Sequence, residues 1–189
     1  MSTEPGPLLA RHDAASARTM VDSLVCVYAE IYAHKADNPF FSTERFTERF
    51  LGHSSRDGYE LLTAAIDGTL IGYAYGVPLA EDTRWWRGLR EQVPGDLIRE
   101  TGNRTFALNE IMVRANWRRR GIARQLHDEL MPDRPEERAT LLVEPRNVPA
   151  RAAYVHWGWY QVGTLQPFPD SPVYDAMMLD LRALRSAAS

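Results

Sequence analysis

Residues 105–130 constrain the fold more than any other stretch, because they join a strand pattern to a helix pattern. Residues 105–113 are rich in apolar side chains and contain no glycine or proline, which predicts a mostly buried strand. Residues 121–130 predict an amphipathic helix, with His127 outside its apolar stripe. The stripe consists of Ile122, Leu126 and Leu130. A strand followed closely by a helix is therefore the first expectation for this chain.

The turn between that strand and that helix is strongly basic. Arg118, Arg119 and Arg120 precede Gly121, and Arg124 lies in the first turn of the helix. The first N–H groups of a helix have no partner inside it, and the helix dipole adds positive potential there. Like charges are unfavourable at this end of a helix. A bound phosphate group therefore explains the cluster better than a solvated basic patch does.

Composition limits the classes of protein that fit this chain. Its 189 residues favour a single domain, expected over residues 7–189 after a flexible tail at 1–6. The formal net charge of −3 argues against a protein whose main task is gripping nucleic acid. No stretch approaches the roughly 20 apolar residues of a membrane helix, and the N-terminal residues lack the hydrophobic region of a secretory signal. A cytoplasmic protein with no membrane partner is expected.

Several kinds of site are disfavoured by the residues that are missing. Cys26 is the only cysteine, which excludes an intramolecular disulfide, and its apolar helical surroundings predict a buried, inert thiol. The five histidines lack the spacing of metal ligands, so no metal is expected. The Gly-x-Ser-x-Gly turn of many hydrolases and the phosphate loop of nucleotide hydrolases are also missing from the sequence.

The remaining elements predict an α/β protein of the α+β kind, with helices packed on a mixed sheet. Asp13 begins a helix that extends through Tyr32, and Ser42 or Thr43 caps a second one. Asp67-Gly68 joins two strand patterns, which is a strong hairpin signal. The strand patterns lie at 7–11, 59–66, 70–77, 138–143, 159–165 and 173–181, and a further helix pattern lies at 149–157.

The connection at 78–102 is long for a compact domain, which is typical of functional or disordered segments. It contains Trp85 and Trp86, whose rings could stack on a ring or a cation. Its acidic and arginine residues alternate, so a lid packed by its own tryptophans is an equally good interpretation.

These residues resemble those of the GNAT N-acetyltransferase superfamily. The pyrophosphate-binding signature of that family, Q/R-x-x-G-x-G/A, is matched by the run from Arg118 to Ala123. A second family pattern, running from an asparagine through a small-residue helix and a tyrosine to a glycine and an aromatic residue, is matched downstream. Its residues are Asn147, Ala150, Ala153, Tyr154, Gly158 and Trp159. The resemblance implies a central mixed, mostly antiparallel sheet that is splayed at the cofactor site and flanked by helices.

The resemblance also implies acetyl-coenzyme A as the donor and an amine as the acceptor. The pyrophosphate would lie against the backbone and side chains of the signature, and the pantetheine arm against the backbone at the end of the strand. Asn147 and Tyr154 match family positions that contact the cofactor, and the Tyr154 phenol would protonate the departing thiolate. The implied cofactor residues are Ile111, Met112, Val113, Arg118, Arg119, Arg120, Gly121, Ile122, Ala123, Arg124, Asn147 and Tyr154.

Glu110 is the best candidate for the base. An alkyl ammonium with a pKa of about 10 is mostly protonated at neutral pH, so a carboxylate, acting directly or through water, helps to deprotonate it. Strict alternation places Glu110 in a row with Phe106, Leu108 and Met112, where an acidic side chain needs a reason. Several family members carry a glutamate on this strand as the base. A structural ion pair with an arginine is the alternative.

The acceptor is expected to be a small-molecule amine that attacks directly in a ternary complex, because Cys26 lies far from the signature along the chain. In this family the acceptor site is built from segments that correspond here to residues 28–41, 78–102 and 166–173. Candidate contacts are Tyr32, Trp85, Trp86 and Glu110. Three alternatives stay open: a protein N-terminus or lysine as acceptor, a non-catalytic coenzyme A-binding module, and nucleic-acid binding through the arginines. A monomer or homodimer is expected.

Overall fold

The computed structural model describes residues 6–187, so residues 1–5 of the expected flexible tail lie outside the described part. The strands are β1 (Leu8–His12), β2 (Glu60–Ile66), β3 (Thr69–Pro78), β4 (Thr105–Val113), β5 (Arg138–Val143), β6 (Tyr160–Leu165) and β7 (Tyr174–Asp180). The α-helices are α1 (Ala14–Thr19), α2 (Val21–Tyr32), α3 (Thr43–His53), α4 (Gly95–Ile98), α5 (Ile122–Leu130), α6 (Val148–His156) and α7 (Leu181–Ala187). Short 3₁₀ turns lie at Ala33–Lys35, Pro39–Phe41, Trp85–Gly88 and Ala115–Trp117.

The strands form one mixed sheet in the order β1-β2-β3-β4-β5-β7-β6. The pairs β1–β2, β2–β3, β5–β7 and β6–β7 are antiparallel, whereas β4 and β5 run parallel. The prediction of a mixed, mostly antiparallel sheet flanked by helices is therefore confirmed. The splay of this sheet at a cofactor site stays a prediction.

The chain divides into two compact units. The first consists of the residues up to Val77 together with Asn109–Met131, and the second consists of Pro78–Leu108 together with the residues from Pro132 onward. The boundary falls inside β4, whose last five residues belong to the first unit. The single domain expected over residues 7–189 stays a prediction.

Two helices of the first unit, α1 and α3, begin at side chains that cap them. Asp13 accepts a hydrogen bond from the Ser16 N–H at 2.8 Å before α1, and Ser42 accepts one from the Arg45 N–H at 3.3 Å before α3. The prediction of one continuous helix through Tyr32 is wrong, because the chain leaves helical geometry at Met20 (φ −101°, ψ 3°). Neither glycine nor proline marks this break, so the apolar periodicity runs through it.

The hairpin of β2 and β3 is confirmed. Its turn residues, Asp67 and Gly68, both have positive φ angles, 49° and 75°, as the twist of a two-residue hairpin turn requires. β3 also approaches the end of β4 very closely at Gly72, where an added Cβ atom would lie 2.7 Å from the carbonyl oxygen of Met112. A larger residue at this position would push the two strands apart.

The core of the first unit is mainly aromatic. Phe46 and Phe50 of α3 stack at 6.2 Å between ring centroids, and Tyr28 of α2 stacks on Phe46 at 4.2 Å. Tyr73 and Tyr75 of β3 are completely covered and belong to the same cluster. Because these tyrosines alternate with Gly72 and Ala74, their face of β3 is the one on which α2 and α3 pack.

The second unit contains β5, β6, β7, α6 and a helix that the sequence patterns did not predict. This helix, α7 (Leu181–Ala187), follows β7 directly, and the Ala183 N–H donates to the Asp180 carboxylate at 3.0 Å as its cap. Apolar residues from the connection at 78–102 and from the strands form the core of the second unit. They include Leu79, Trp86, Ala107, Leu165, Ala176 and Met178.

The solvent exposure of two side chains differs from the prediction. Cys26 is exposed, because the buried face of α2 runs through Leu24, Val27 and Tyr28, so the expected buried thiol is wrong. His127 is only 2% exposed, because the buried face of α5 extends one position beyond the stripe of Leu126 and Leu130. None of the helices in residues 6–187 has the length and apolar character needed to cross a bilayer.

Candidate functional site

The turn before α5 has the backbone geometry of an anion site. Arg119 and Gly121 adopt positive φ angles of 60° and 78°, and Gly121 is the N-cap of α5. The first intrahelical bond is donated by the Gln125 N–H to the Gly121 carbonyl at 3.0 Å. The N–H groups of Ile122, Ala123 and Arg124 therefore precede any partner inside the helix and point out of its N-terminus.

The arginines of this turn are held in different ways. Arg118 donates from Nε to the Val113 carbonyl at 3.1 Å, which ties the turn to the end of β4. The Arg120 guanidinium lies over the Trp117 ring, 4.8 Å from its centroid. Arg124 forms an ion pair with Asp128 one turn along α5, so part of its charge is neutralised within the helix. The exposed basic surface of the turn therefore comes mainly from residues 118–120.

The end of β4 brings Ile111, Met112 and Val113 to this turn. The Arg114 N–H donates to the Ile71 carbonyl of β3 at 2.9 Å, and the Arg114 side chain forms an ion pair with Glu30 of α2. Met112 is buried, and its sulfur accepts a hydrogen bond from the Tyr73 hydroxyl at 3.2 Å. These contacts fix the strand from which the turn begins.

Glu110 lies on β4, two residues before Met112, and is partly buried. Burial raises the pKa of its carboxyl group from 4.5 to about 7, and the Arg49 guanidinium opposes this rise. Within residues 6–187 the carboxylate makes no hydrogen bond and no ion pair, so the structural ion pair weighed as an alternative is not found. A carboxylate with a pKa near neutrality and no fixed partner is suited to accepting a proton.

Three tyrosines of the first unit respond to the charge of Glu110. Burial, followed by the negative charge of Glu110, raises the pKa of Tyr28 to about 12 and the pKa values of Tyr73 and Tyr75 well above the ordinary value of 10. Their phenols therefore stay protonated at neutral pH. Within the described residues, the cation that lowers the pKa of Glu110 is Arg49, which donates to the Tyr28 hydroxyl at 3.3 Å.

Asn147 and Tyr154 lie in the second unit, on α6. Asn147 caps this helix by accepting a hydrogen bond from the Ala150 N–H at 3.3 Å, so this side chain has a structural role in the helix. Tyr154 is 8% exposed, and its ring packs edge-on against Trp157 at 5.6 Å and Trp159 at 6.0 Å. Their roles at a cofactor stay predictions.

Comparison with protein families decides the identity of this arrangement. The model of the acetyltransferase (GNAT) family matches residues 25–159, which is more than two thirds of the chain. The chain belongs to the GNAT acetyltransferase family. The turn at Gly121 and the helix of Asn147 and Tyr154 both lie inside the matched region. Membership of this family supports an acyltransferase.

Solved structures agree with the GNAT fold. The PaiA N-acetyltransferase of Thermoplasma acidophilum in complex with coenzyme A has 14% identity and a TM-score of 0.59, covering 93% of this chain and 99% of its own. The ribosomal-protein-S18-alanine N-acetyltransferase of Escherichia coli has 16% identity and a TM-score of 0.60, covering 93% and 94%. The ribosomal-protein-alanine N-acetyltransferase of Brucella melitensis has 20% identity and a TM-score of 0.61, covering 92% and 99%. Comparison with curated protein sequences yields no significant match.

The side chains expected to contact the acceptor differ in their burial and in their neighbours. Tyr32 lies at the end of α2, with its ring tilted by 42° to that of Tyr28 at 4.7 Å and stacked on that of Phe41 at 4.9 Å. Trp86 is 7% exposed and donates from its indole N–H to Glu100 at 2.9 Å, an arrangement that favours the packed-lid interpretation. Trp85 is partly buried and meets Trp86 edge-on at 6.4 Å. Their contact with an acceptor stays a prediction.

Sequence reasoning overlooked three polar residues in the same unit as Glu110. Burial, reinforced by Arg56 and Arg49, lowers the pKa of His53 to about 4, so its ring is neutral. His53 Nε2 lies 3.5 Å from Asn109 Nδ2, while His53 Nδ1 and Asn109 Oδ1 are buried and find no hydrogen-bond partner among residues 6–187. The third residue is Arg49. A polar residue directly before Glu110 on an apolar strand was the available signal for Asn109.

No group of three histidine, cysteine or acidic side chains converges in the described part of the chain in a way that could hold a metal ion. The GNAT candidate site is therefore described by two sets of residues. One is the anion turn with its arginines and the first N–H groups of α5. The other is Glu110 with its tyrosines and Arg49.

Proposed function

We propose that this protein is an N-acetyltransferase that moves the acetyl group of acetyl-coenzyme A to a primary amine of a small molecule, by direct attack in a ternary complex. The observation that carries the proposal is the Glu110 carboxylate, which has a raised pKa and no fixed partner on the strand that leads into the anion turn. The structural role weighed against it would require an arginine partner. Family membership supplies the reaction class.

The anion turn is the proposed site of the coenzyme A pyrophosphate. Gly121 at φ 78° exposes backbone at the start of α5, and the N–H groups that follow it can donate to phosphate oxygens. The side chains of residues 118–120 add positive charge on the exposed side of the turn. A related fold holds coenzyme A in the PaiA N-acetyltransferase, which supports this assignment. When bound, acetyl-coenzyme A supplies the thioester that is cleaved.

Glu110 is proposed to take the proton from the acceptor ammonium, directly or through water. A base with a pKa of about 7 is half ionised at neutral pH, and its strength is closest to what proton transfer at that pH requires. The amine nitrogen then forms the new bond to the acetyl carbon and gives up its second proton, and the bond from that carbon to sulfur breaks. Tyr154 is proposed to return a proton to the departing thiolate, as the family pattern implies.

A thiol-release assay over an amine library, with acetyl-coenzyme A as donor, tests this proposal directly. We expect release of free coenzyme A with at least one class of primary amine. In Glu110→Gln and Tyr154→Phe, turnover should fall while the binding of coenzyme A is retained. Unchanged turnover in both variants would remove these catalytic assignments. A wild-type protein that binds coenzyme A and acetylates no amine would instead be a non-catalytic module.

A protein N-terminus is a second candidate acceptor. The Escherichia coli and Brucella melitensis structures named above are ribosomal-protein alanine N-acetyltransferases, and each covers more than nine tenths of this chain. Their identities of 16% and 20% carry the fold alone, so the acceptor has to be tested. The amine library should therefore include short peptides with a free N-terminal alanine. A preference for these peptides over small amines would replace the small-molecule acceptor.

A further inference from the structure

The first turns of α3 repeat a tetrapeptide in tandem, Thr-Glu-Arg-Phe, from Thr43 to Phe50. A period of four places equivalent residues almost above one another on a helix, so each type forms its own row. The row of Phe46 and Phe50 enters the core. The row of Arg45 and Arg49 lies beside it, and both arginines are partly buried. Two like charges at this spacing repel one another, which raises the question of what stabilises them.

The two arginines meet at one aromatic ring. The guanidinium carbon of Arg45 lies 5.2 Å from the centroid of Phe40, and that of Arg49 lies 5.1 Å from it. Phe40 belongs to the connection between α2 and α3 and is itself 6% exposed. A single ring that holds two cations keeps both guanidinium groups in a small, partly dry region. There each of them interacts with other charges more strongly than it would in open water.

Arg49 is fixed by neutral groups alone. Its Nη1 donates to the Phe40 carbonyl and its Nη2 donates to the Tyr28 hydroxyl, both at 3.3 Å. It forms no ion pair with any carboxylate within residues 6–187, and no acidic residue lies three or four positions away from it on α3. A guanidinium carries five N–H donors, so three of them remain for another ligand. Arg49 is thus a positioned cation that has no anionic partner among the described residues.

The end of α3 lies close to the proposed base on β4: His53, one turn beyond Arg49, lies 3.5 Å from Asn109, the residue that precedes Glu110. Arg49 is the charged residue that acts on Glu110 in the first unit, yet the two side chains do not form an ion pair. A carboxylate and a guanidinium that stay near one another without contact leave room for a molecule that pairs with both. Such a molecule carries an ammonium group for Glu110 and an anionic group for Arg49.

We propose that Arg49, supported by Arg45, binds a carboxylate of the acceptor, so that the acceptor is a zwitterionic amine such as an amino acid. The inference rests on the proposed function, because it deepens the acceptor side of the same site. Guanidinium and carboxylate match one another as planar groups with two parallel hydrogen bonds. The bound carboxylate would reduce the repulsion between the two guanidinium groups and would orient the amine toward Glu110. Arg49 would then determine specificity, whereas Glu110 would act on the reacting nitrogen.

Matched acceptors isolate this contact. An ω-amino acid and its carboxamide carry similar amines and differ mainly in one negative charge. We expect the wild type to favour the acid by about tenfold to hundredfold in kcat/KM, because a charge-assisted contact is lost in the amide. In Arg49→Gln this preference should disappear through a higher KM for the acid, and Arg49→Lys should keep part of it. Arg45→Gln should reduce the preference less. Arg182→Gln, in α7, is the control for loss of an arginine and should leave the preference unchanged.

The ratio of the two acceptors is the deciding quantity, because loss of Arg49 also raises the pKa of Glu110 and slows both acceptors alike. Equal kcat/KM for acid and amide in the wild type, or an unchanged ratio in Arg49→Gln, would overturn the inference while leaving the proposed function standing. A peptide pair with aspartate or asparagine beside the N-terminal residue tells whether the carboxylate belongs to a peptide side chain, which would overturn the small zwitterion.

Failure of the proposed function gives a different result. If the wild type acetylates no amine, the site is judged by thermal unfolding in the presence of the acid or the amide. Stabilisation by the acid that is lost in Arg49→Gln would support the anion site alone, and equal effects of acid and amide would overturn it. Circular dichroism and thermal unfolding of each ligand-free variant, Arg49→Gln and Arg49→Lys included, check that it folds.

Discussion

Two glutamates, one in each unit of the molecule, have very different surroundings. The side chain of Glu100 is 0% exposed, and its Oε1 accepts hydrogen bonds from Trp86 and Thr105, both at 2.9 Å, and from Arg138 at 3.1 Å. Glu110 has no such partner within the described residues, and burial raises its pKa to about 7. A buried charge that is paired serves the fold, whereas a partly buried charge left unpaired costs stability and keeps its reactivity.

The surroundings of the two carboxylates account for this difference. Glu100 pairs with Arg138 of β5, which also donates to the Leu97 carbonyl at 2.6 Å and to the Thr105 hydroxyl at 2.8 Å. The charge of Glu110 acts on three tyrosines, and the guanidinium that lowers its pKa within the described residues, that of Arg49, is held by Phe40 and Tyr28. A carboxylate can be neutralised by an arginine or by a proton. In the first unit, Glu110 has no arginine partner among the described residues and is instead neutralised by protonation near neutral pH.

The largest expected effect is on turnover, in Glu110→Gln. Removing a general base typically lowers the rate by about a hundredfold to ten-thousandfold, and we expect a fall in kcat within this range. The wild-type rate should rise with pH through about 7, because the ionised carboxylate is the active form, and the variant should lose this rise. Steady-state kinetics from pH 5 to 9 measure both effects. A variant with the wild-type rate and pH profile would contradict the assignment of Glu110 as base.

Glu100→Gln is expected to show the opposite pattern. It leaves the Arg138 guanidinium buried without its counter-charge, which should lower the free energy of unfolding by about 3–5 kcal/mol. Activity per folded molecule should stay close to that of the wild type at low temperature. Urea denaturation measures the loss, and the double variant with Arg138→Met should recover part of it. A stable Glu100→Gln protein without activity would reverse the roles of the two glutamates.

The pH dependence of stability separates Glu110 from His53. The folded state raises the pKa of Glu110 from 4.5 to about 7, so it binds more protons than the unfolded state, and this contribution to stability is lost as pH rises through that window. It is worth up to about 3 kcal/mol. The pKa of His53 falls from 6.5 to about 4, so its contribution increases with pH over that window.

The two contributions oppose one another in the wild type between about pH 4.5 and 6.5. We expect Glu110→Gln to become more stable with rising pH, and His53→Asn to become less stable, each relative to the wild type. Urea denaturation at pH 5, 6 and 7 measures the three proteins. Parallel pH profiles for Glu110→Gln and the wild type would show that Glu110 is paired or exposed in solution, which would remove its contrast with Glu100.

Most of the fold follows from periodicity and turn chemistry. The hairpin at Asp67-Gly68, the strand Thr105–Val113 and the cap at Ser42 are local signals, and each is confirmed. The break at Met20 and the helix Leu181–Ala187 were not predicted. Met20 carries no helix breaker, and α7 follows a strand without any intervening turn residues. Both boundaries depend on tertiary packing, which overrides local propensity.

The site was only half accessible to the same reasoning. The anion turn is a contiguous motif, so Gly121 and its arginines could be read directly from the sequence. The surroundings of Glu110 come from distant segments, namely Tyr28, Arg49 and His53, and no spacing rule connects these with Asn109. His127 shows the same difficulty, since a helix face one position wider than the apolar stripe is decided by what packs against it.

The smallest expected effect concerns Asn147, a single side chain that has, within residues 6–187, one paired and one unpaired polar atom. Asn147 uses Oδ1 to cap α6, whereas its Nδ2 makes no hydrogen bond in the described part of the chain and would be the atom that binds coenzyme A. Asn147→Ala should lower the free energy of unfolding by about 1 kcal/mol, and Asn147→Asp should keep the cap. Both variants lack Nδ2, so both should bind coenzyme A more weakly, as measured by calorimetry. Wild-type affinity in Asn147→Asp would limit this residue to its role in the helix, like Glu100 in its network.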